Sequence, residues 1–436
     1  LSTLLSLLVP AHSSGSPDCG AILTPAGLSY RKSGPRFSRG GGREGRQRHL
    51  PAPRRNHINS VKVAELSLSL IPDAGLRLSI DVDLGTAPAP STTKVLRLSI
   101  LADLHVEMNP EGNLELVTSA CKPTVEEMQS TEELERSTPR KSSGSDVDKE
   151  INVDKICLEI SKLLLLPHEQ LTSLTAQFPV TPSCQVQYLP LAAPVFSEQG
   201  ITVSLQTTFQ VAGMAIPLPG SPVPFSMPEP ASSGPSHLTL AFSEHFYTSL
   251  FSALEVAGAF NMTILVSRAS KENNPPSPRQ TASLFQEDLP VMLQAAFRSS
   301  PQVVLEEGKA ALKLFLTAHV GAGSPAFQSF LSVNVDMSAG LLLRVADTRM
   351  MISAAAIEDI ELSLAASDVG PVPAALLEEF FLPPIRAEVP AQLNVVLSNG
   401  VFLPHVSSFT YTDVNVVIHK DYVLVPCNLR LQARSG

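Results

Sequence analysis

HLTLAFSEHFYTSLFSALEVAG, the run from His237 to Gly258, changes its apolar period half-way along. Leu238, Leu240 and Phe242 alternate with their neighbours, the pattern of a short strand. From Ser243 onward the spacing turns helical: Phe246, Tyr247, Leu250, Phe251 and Leu254 share one face. Ser243 stands where an N-cap hydroxyl accepts from the first turn, and Gly258 suits the left-handed position past the helix end. The run therefore reads as strand, capped helix and stop.

Upstream of it, Ile201–Val211 is a longer extended stretch, and seven prolines lie between the two (Pro217, Pro219, Pro222, Pro224, Pro228, Pro230 and Pro235). This linker, residues 213–236, separates two blocks, 61–212 and 237–436, each rich in alternating apolar residues. In the first block Val61, Val63, Leu66, Leu68 and Leu70 lead to a turn at Pro72–Gly75. Leu76, Leu78, Ile80, Val82 and Leu84 follow, and then Leu96, Leu98, Ile100, Ala102, Leu104, Val106 and Met108. Alternation of this length predicts long antiparallel strands with one dry and one wet face. Asn113–Ser119 is the next strand, and a helix over Asp154–Leu166 turns Ile156, Cys157, Ile160, Leu163 and Leu164 inward. Cys184–Leu191 returns to strand. In the second block a helix is expected near Leu284–Phe297, bent or started at Pro290. Strands are expected at Ala311–Val320, Phe330–Val335, Leu341–Val345 and Ile357–Ala365.

Two segments do not pack. Arg31–Arg55 carries nine Lys/Arg against the single acid Glu44, with a Gly40–Gly42 run, so residues 16–60 read as an irregular basic segment after a short opening strand. Glu126–Glu150 holds eight acids and reads as a solvated loop. Leu1–Pro10, followed by small residues at Ala11–Gly15, reads as the remnant of a secretory signal peptide.

At 436 residues with net charge −9, the chain is a poor nucleic-acid binder and a poor purely electrostatic trap for anionic lipid. No apolar run reaches the roughly 18–20 residues of a membrane-spanning helix. Trp is absent and aromatics are few, so the core is aliphatic. His168-Glu169 starts a zinc-protease pattern, but Thr172 stands where the second His belongs. There is no nucleophile elbow, no phosphate-binding loop and no strand–glycine–helix turn. No catalytic residue, metal site or cofactor is assigned. Of five cysteines, Cys121 and Cys157 are the pair to bridge in an oxidising compartment, and Cys19, Cys184 and Cys427 read as buried or stray thiols rather than ligands. Asn261-Met262-Thr263 is an N-glycosylation sequon directly after the helix stop.

The order of these pieces resembles the bactericidal/permeability-increasing protein and lipopolysaccharide-binding protein family. The proline linker followed by strand, Ser-started aromatic helix and Ala-Gly stop is similar to the entry of its C-terminal domain. Gly27-Leu28-Ser29-Tyr30 resembles its Gly-Leu-x-Tyr, and Ser367-Asp368-Val369-Gly370-Pro371 its Ser-Asn-Ile-Gly-Pro. Leu393-Asn394, Leu397, Gly400 and Leu403-Pro404 resemble a further motif, with Phe402 where a proline is usual. Asp413–Val425 resembles the closing strand. Ala326-Phe327-Gln328-Ser329-Phe330 leans the match toward the BPI fold-containing family B, its member-2-like branch above all. Between Phe297 and Ala311 the chain looks shorter than the family, at the expense of one strand.

The resemblance implies an α+β fold: two elongated antiparallel β-barrel-like domains, each wrapped on long helices and joined by a central sheet as a boomerang. It implies the Cys121–Cys157 disulfide. It also implies a secreted, monomeric, non-enzymatic protein holding phospholipid or lipopolysaccharide acyl chains in apolar pockets, with a part in innate defence. Lipid transfer, a secretory-pathway membrane role, or a protein-interaction module with closed pockets are the alternatives. Candidate pocket residues are Leu78, Ile80, Leu98, Ile100, Ile160 and Leu164 in the first domain, and Phe246, Leu250, Leu254, Leu343 and Leu397 in the second.

Overall fold

A computed structural model describes residues 16–28, 57–87, 94–128, 176–217, 219–220, 225–228, 236–261, 263–266, 291–323, 327–404 and 409–431. The signal-like residues 1–15, the basic run 31–55, the helix expected at 154–166 and much of the linker lie outside them. Strand β1 (Cys19–Leu23) and the one-turn helix α1 (Pro25–Leu28) come first. The alternating runs of the first block then form β2 (His57–Ile71), β3 (Gly75–Ala87), β4 (Lys94–Met108) and β5 (Leu114–Met128). They pair as a four-stranded meander in chain order. On β4, Leu98, Ile100, Ala102 and Leu104 are buried, whereas Leu101 points outward. The outward face is laced by ion pairs, Arg77 to Asp103 at 2.7 Å and Arg97 to Asp83 at 2.9 Å. Cys121 lies inside β5 rather than after it, and Glu126–Met128, expected in the acidic loop, also belong to that strand.

A ten-stranded sheet holds the centre. It takes β6 (Gln177–Thr181), β7 (Cys184–Pro190), β8 (Val195–Ser197), β9 (Gly200–Val211) and β10 (Met214–Ala215) from one side of the linker. From the other side it takes β11 (Leu238–Ser243). Helix α2 (Glu244–Val256) follows β11 without a gap. Its caps are those the sequence predicts. Ser243 accepts a hydrogen bond from the Phe246 N–H at 3.2 Å. At the other end the Gly258 N–H reaches Glu255 O at 2.8 Å and the Ala259 N–H reaches Leu254 O at 3.0 Å, with Gly258 at φ +72. That double bond is a Schellman ending, which satisfies carbonyls the helix itself cannot.

The second block contributes β12 (Thr263–Val266), β13 (Val291–Glu306), β14 (Lys309–Gly323), β15 (Phe327–Ala346) and β16 (Arg349–Ser367). After them come helix α3 (Ala374–Leu397) and β17 (Val401–Phe402). The six strands β12 to β17 pair in chain order. Finally β18 (Phe409–Thr412), β19 (Val417–His419) and β20 (Tyr422–Leu431) return to the central sheet.

Three expectations are corrected here. Val291–Phe297 is strand, not helix, and pairs residue by residue with Leu316–Ala322. Residues 291–297, VMLQAAF, are apolar at every position but Gln294, so they carry no period-two signal that would mark a strand. The same strand fills the stretch between Phe297 and Ala311 that looked short. The two strands expected at Phe330–Val335 and Leu341–Val345 are one 20-residue strand. Ser338–Gly340, which reads like a turn, is an irregularity in the pairing with β16.

The fold is thus mixed and mostly sheet, with few helices. Among the described residues the sheets end in free strands, so the closed barrels expected from the resemblance are open sheets here.

Two glycines permit close backbone approaches, Gly75 within the first sheet and Gly200 within the central sheet. A Cβ on Gly75 (φ +137) would lie 2.2 Å from Leu104 O, and one on Gly200 (φ +140) would lie 2.2 Å from Leu23 O. Gly308 has φ +73 but open space around it. Alanine at Gly75 or Gly200 should cost about 2–4 kcal/mol through clash plus strain, against about 1 kcal/mol at Gly308. Urea midpoints of the three variants check this; equal losses would show that the close backbone approach is unimportant.

Candidate functional site

Helix α3 buries Leu377, Phe381, Ile385, Val389, Leu393 and Leu397, a row repeating every fourth residue. That row lies on the dry face of β13 to β16. Pro383, Pro384 and Pro390 interrupt the helix. They carry no N–H, so the carbonyls four residues earlier, on Glu379, Phe380 and Arg386, lose their helical donor. Beside this weakened segment, Phe381, Ile385 and Val389 face Leu293, Ala295, Leu316, Ala318, Val335 and Met337 across a wholly apolar cleft. Its free volume is about 30 Å³, the share of roughly one liquid water and well short of a ligand pocket.

A larger depression of about 390 Å³, open to solvent, lies where α1 meets the β2–β3 hairpin and the β8–β9 turn, with Pro25, Ser69, Pro72 and Glu198 exposed around it. Pro25, Leu28, Leu68, Leu70 and Pro72 supply apolar walls, and Ser69 and Glu198 add polar groups. This volume falls within the range of small-molecule sites. Next to it Leu76, Ala102, Leu104, Phe196 and Ile201 form a compact cluster, with Leu28, Leu68, Leu70 and Leu78 packed on it. The Asp73 N–H donates to Phe196 O at 3.0 Å, tying the hairpin to the central sheet at the cavity rim.

The sequence-predicted pocket residues occupy different places. Leu98 and Ile100 are buried on the dry face of β4, and Leu78 and Ile80 are half-buried on β3. Phe246, Leu250 and Leu254 are wholly enclosed between α2 and the sheets. Leu397 is buried at the end of α3, and Leu343 is half-buried on β15. None of these nine lines either cavity. Ile160, Leu164 and Cys157 lie outside the described residues. The α3 residues were missed because three prolines hide the helix, and Leu293 and Ala295 because β13 scans as helical. Leu68, Leu70 and Pro72 stood in the alternating run and its turn, so a hairpin tip docked on a glycine-opened strand was the available signal.

A second cluster, polar and closed, lies under α2. The Asp18 carboxylate is buried and accepts from both the Thr207 N–H, at 2.9 Å, and the Thr207 hydroxyl. Burial pushes its pKa above the usual carboxylate value, and the Thr207 hydrogen bonds offset this only in part. Burial likewise raises the Cys19 thiol and lowers the half-buried His245, whose ring lies 3.4 Å from the Ser249 hydroxyl. Cys184 and Cys427 are pushed up to about 11 and about 12 by burial. Every one of these shifts favours a neutral group, which suits a structural core more than a reacting centre. Among the described residues no group of His, Cys, Asp and Glu could hold a metal ion. Nor is any helix among them long and apolar enough to cross a membrane.

Comparison with known proteins places this arrangement. Residues 181–431 match the LBP / BPI / CETP family, C-terminal domain. The chain belongs to that family. It is 60% identical to Protein TENP of Gallus gallus, over 99% of both chains. It is 25% identical to BPI fold-containing family B member 2 of Homo sapiens, again over 99% of both. The crystal structure of lipopolysaccharide binding protein shares the fold, with a TM-score of 0.50 at 15% identity over 96% of this chain and 100% of that one.

Two substitutions test the buried cluster in this family member. Asp18 has its folded pKa raised, so its contribution to stability is complete below about pH 4 and is lost as pH rises through the folded value. Asp18→Asn should therefore gain stability relative to the native chain as pH climbs toward neutrality. Denaturant midpoints from pH 4 to pH 8 read this directly; parallel curves for the two proteins would refute it. The Tyr247 hydroxyl is buried with no hydrogen-bond partner. Tyr247→Phe should be neutral or stabilise by about 1 kcal/mol, and a loss of that size would reveal a partner for the hydroxyl.

Proposed function

We propose that the chain is a secreted, non-enzymatic lipid-binding protein that shelters acyl chains of phospholipid or lipopolysaccharide, with a part in innate defence. The observation that carries this is the 390 Å³ cavity walled by Pro25, Leu28, Leu68, Leu70 and Pro72. Each methylene buried there contributes about 0.8 kcal/mol, so a long chain binds without any charged contact. Ser69 and Glu198 provide polar groups for the headgroup end. Family membership supports the ligand class, as does the fold shared with lipopolysaccharide binding protein.

In this reading the blocks 61–212 and 237–436 are two lobes on the central sheet, a monomeric boomerang with each lobe's apolar face turned onto helices. The cleft beneath α3 is then a second acyl site, entered when the helix lifts at Pro383, Pro384 and Pro390. The nine described sequence candidates line neither of these two sites. Cys121 is disulfide-bonded while Cys19, Cys184 and Cys427 are free, which supports Cys157 as its partner. Lipid transfer through the secretory pathway follows from the same cavity. The near-closure of the α3 cleft favours one other reading, an extracellular interaction module whose pockets stay shut.

Native mass spectrometry of the secreted protein before and after organic extraction decides between them. The expected result is mass lost on extraction equal to one or two phospholipids, unchanged by salt because the cavity walls are apolar. Leu68→Trp, shown to be folded by circular dichroism, should lower that occupancy several-fold. A single mass unaffected by extraction from folded native protein would sink the lipid reading and leave the closed interaction module.

A further inference from the structure

We propose that Asn261 is an N-glycan acceptor whose glycan stands on the solvent side of the second block, clear of both cavities. Asn261-Met262-Thr263 is the only sequon in the 436 residues. Its setting is built rather than incidental. The Schellman ending of α2 stops the helix at Gly258, and the Asn261 N–H closes a turn onto Gly258 O at 3.2 Å. Asn261 and Thr263 are both exposed. Thr263 pairs with Gln294 in the β12–β13 ladder, so the two share one face of the sheet. Leu293 and Ala295, the residues of β13 that line the α3 cleft, lie on the opposite face. The acceptor and the hydroxyl that activates it therefore both look outward, at the end of the terminal strand of the described sheet.

The reaction needs a pyrophosphate-linked lipid oligosaccharide, the glycosyl donor of the secretory pathway. A bond forms between Asn261 Nδ2 and the sugar C1 as the C1–O bond to pyrophosphate breaks. The pyrophosphate leaves with the electron pair, and a proton leaves Nδ2. The inference rests on the secretory route proposed above, so its test supplies that route independently. The full chain is expressed in mammalian cells behind a heterologous signal peptide, beside the chain with its own N-terminus, and both are treated with peptide N-glycosidase.

The expected result is the loss of one glycan, with the acceptor asparagine converted to aspartate. Asn261→Gln and Thr263→Ala should run at the deglycosylated mass, and Thr263→Ser should keep the glycan. Protein recovered from the medium at the mass of Asn261→Gln would overturn the site and leave the secretory reading standing. Glycosylation behind the foreign signal upholds the site whatever the N-terminus of the chain directs. Equal lipid content in native protein and Asn261→Gln is the further expectation. Lipid lost in the variant would refute the placement of the glycan away from the cavities.

Discussion

Five residues of backbone, Cys19 to Leu23, hold the two halves of the molecule in one sheet. β1 pairs on one side with β9, from before the linker, and on the other with β11, from after it. Each end of the strand is pinned by more than its ladder. At the start, the Asp18 N–H donates to Leu205 O at 3.1 Å, while Asp18 O accepts from the Ser243 N–H at 2.9 Å. The side chain of Asp18 meanwhile satisfies Thr207. At the far end the Thr24 hydroxyl donates to Ser236 O at 2.6 Å, and the Thr24 N–H to His237 O at 3.0 Å. A buried backbone without these partners would be costly at each unpaired group. Without β1, therefore, β9 and β11 would face each other across a row of unsatisfied amides.

Helix α2 extends that seam into the second block. Beyond the reach of β12, the outer edge of β13 still presents N–H groups at Val303 and Leu305. The Thr248 hydroxyl accepts the first at 3.0 Å and the Glu244 carboxylate the second at 2.8 Å. The aromatic face of the same helix stacks into the central sheet: Phe246 meets Phe242 at 4.9 Å and Tyr188 at 6.5 Å between ring centroids. The Tyr188 hydroxyl in turn donates to Phe402 O at 2.6 Å, and the Arg349 guanidinium sits 3.8 Å above the Phe402 ring. One chain of contacts thus runs from β1 through α2 and β7 to β17. Phe402, which departs from the proline usual in the resembling motif, is its last link.

Legibility followed period and capping. The four strands of the first block, the strand-to-helix change at Ser243 and the stop at Gly258 were all readable, because alternation and caps are local signals. β13 was not readable as a strand, since its first seven residues, VMLQAAF, are apolar almost throughout and show no alternation. α3 was invisible for the opposite reason: three prolines argue against a helix, yet the row Leu377 to Leu397 buries enough apolar surface on the sheet to hold one. The sites were less legible than the fold. Long strands announce which face is dry, but a cavity exists where two such faces fail to meet, and that depends on contacts distant in sequence. Leu28 and Leu68 come together at the α1–hairpin junction through the packing of the whole first sheet on the centre.

The two cavities differ for a physical reason. Under α3 a continuous row of large side chains, Phe381, Ile385 and Val389, presses onto a flat aliphatic sheet, and interiors pack to the density of crystals unless something props them open. At the α1 junction the walls come from three separate pieces of chain, and Pro25 and Pro72 among them limit how far the backbone can adjust to close the gap. Among the described residues neither cavity is lined by a cation, and the Glu198 carboxylate at the larger one repels a phosphate. Recognition at such walls is set by apolar area and chain length. For the proposed acyl-chain role the α1 junction is therefore the better site, since the cleft beneath α3, at about 30 Å³, is too small to hold a chain as it stands.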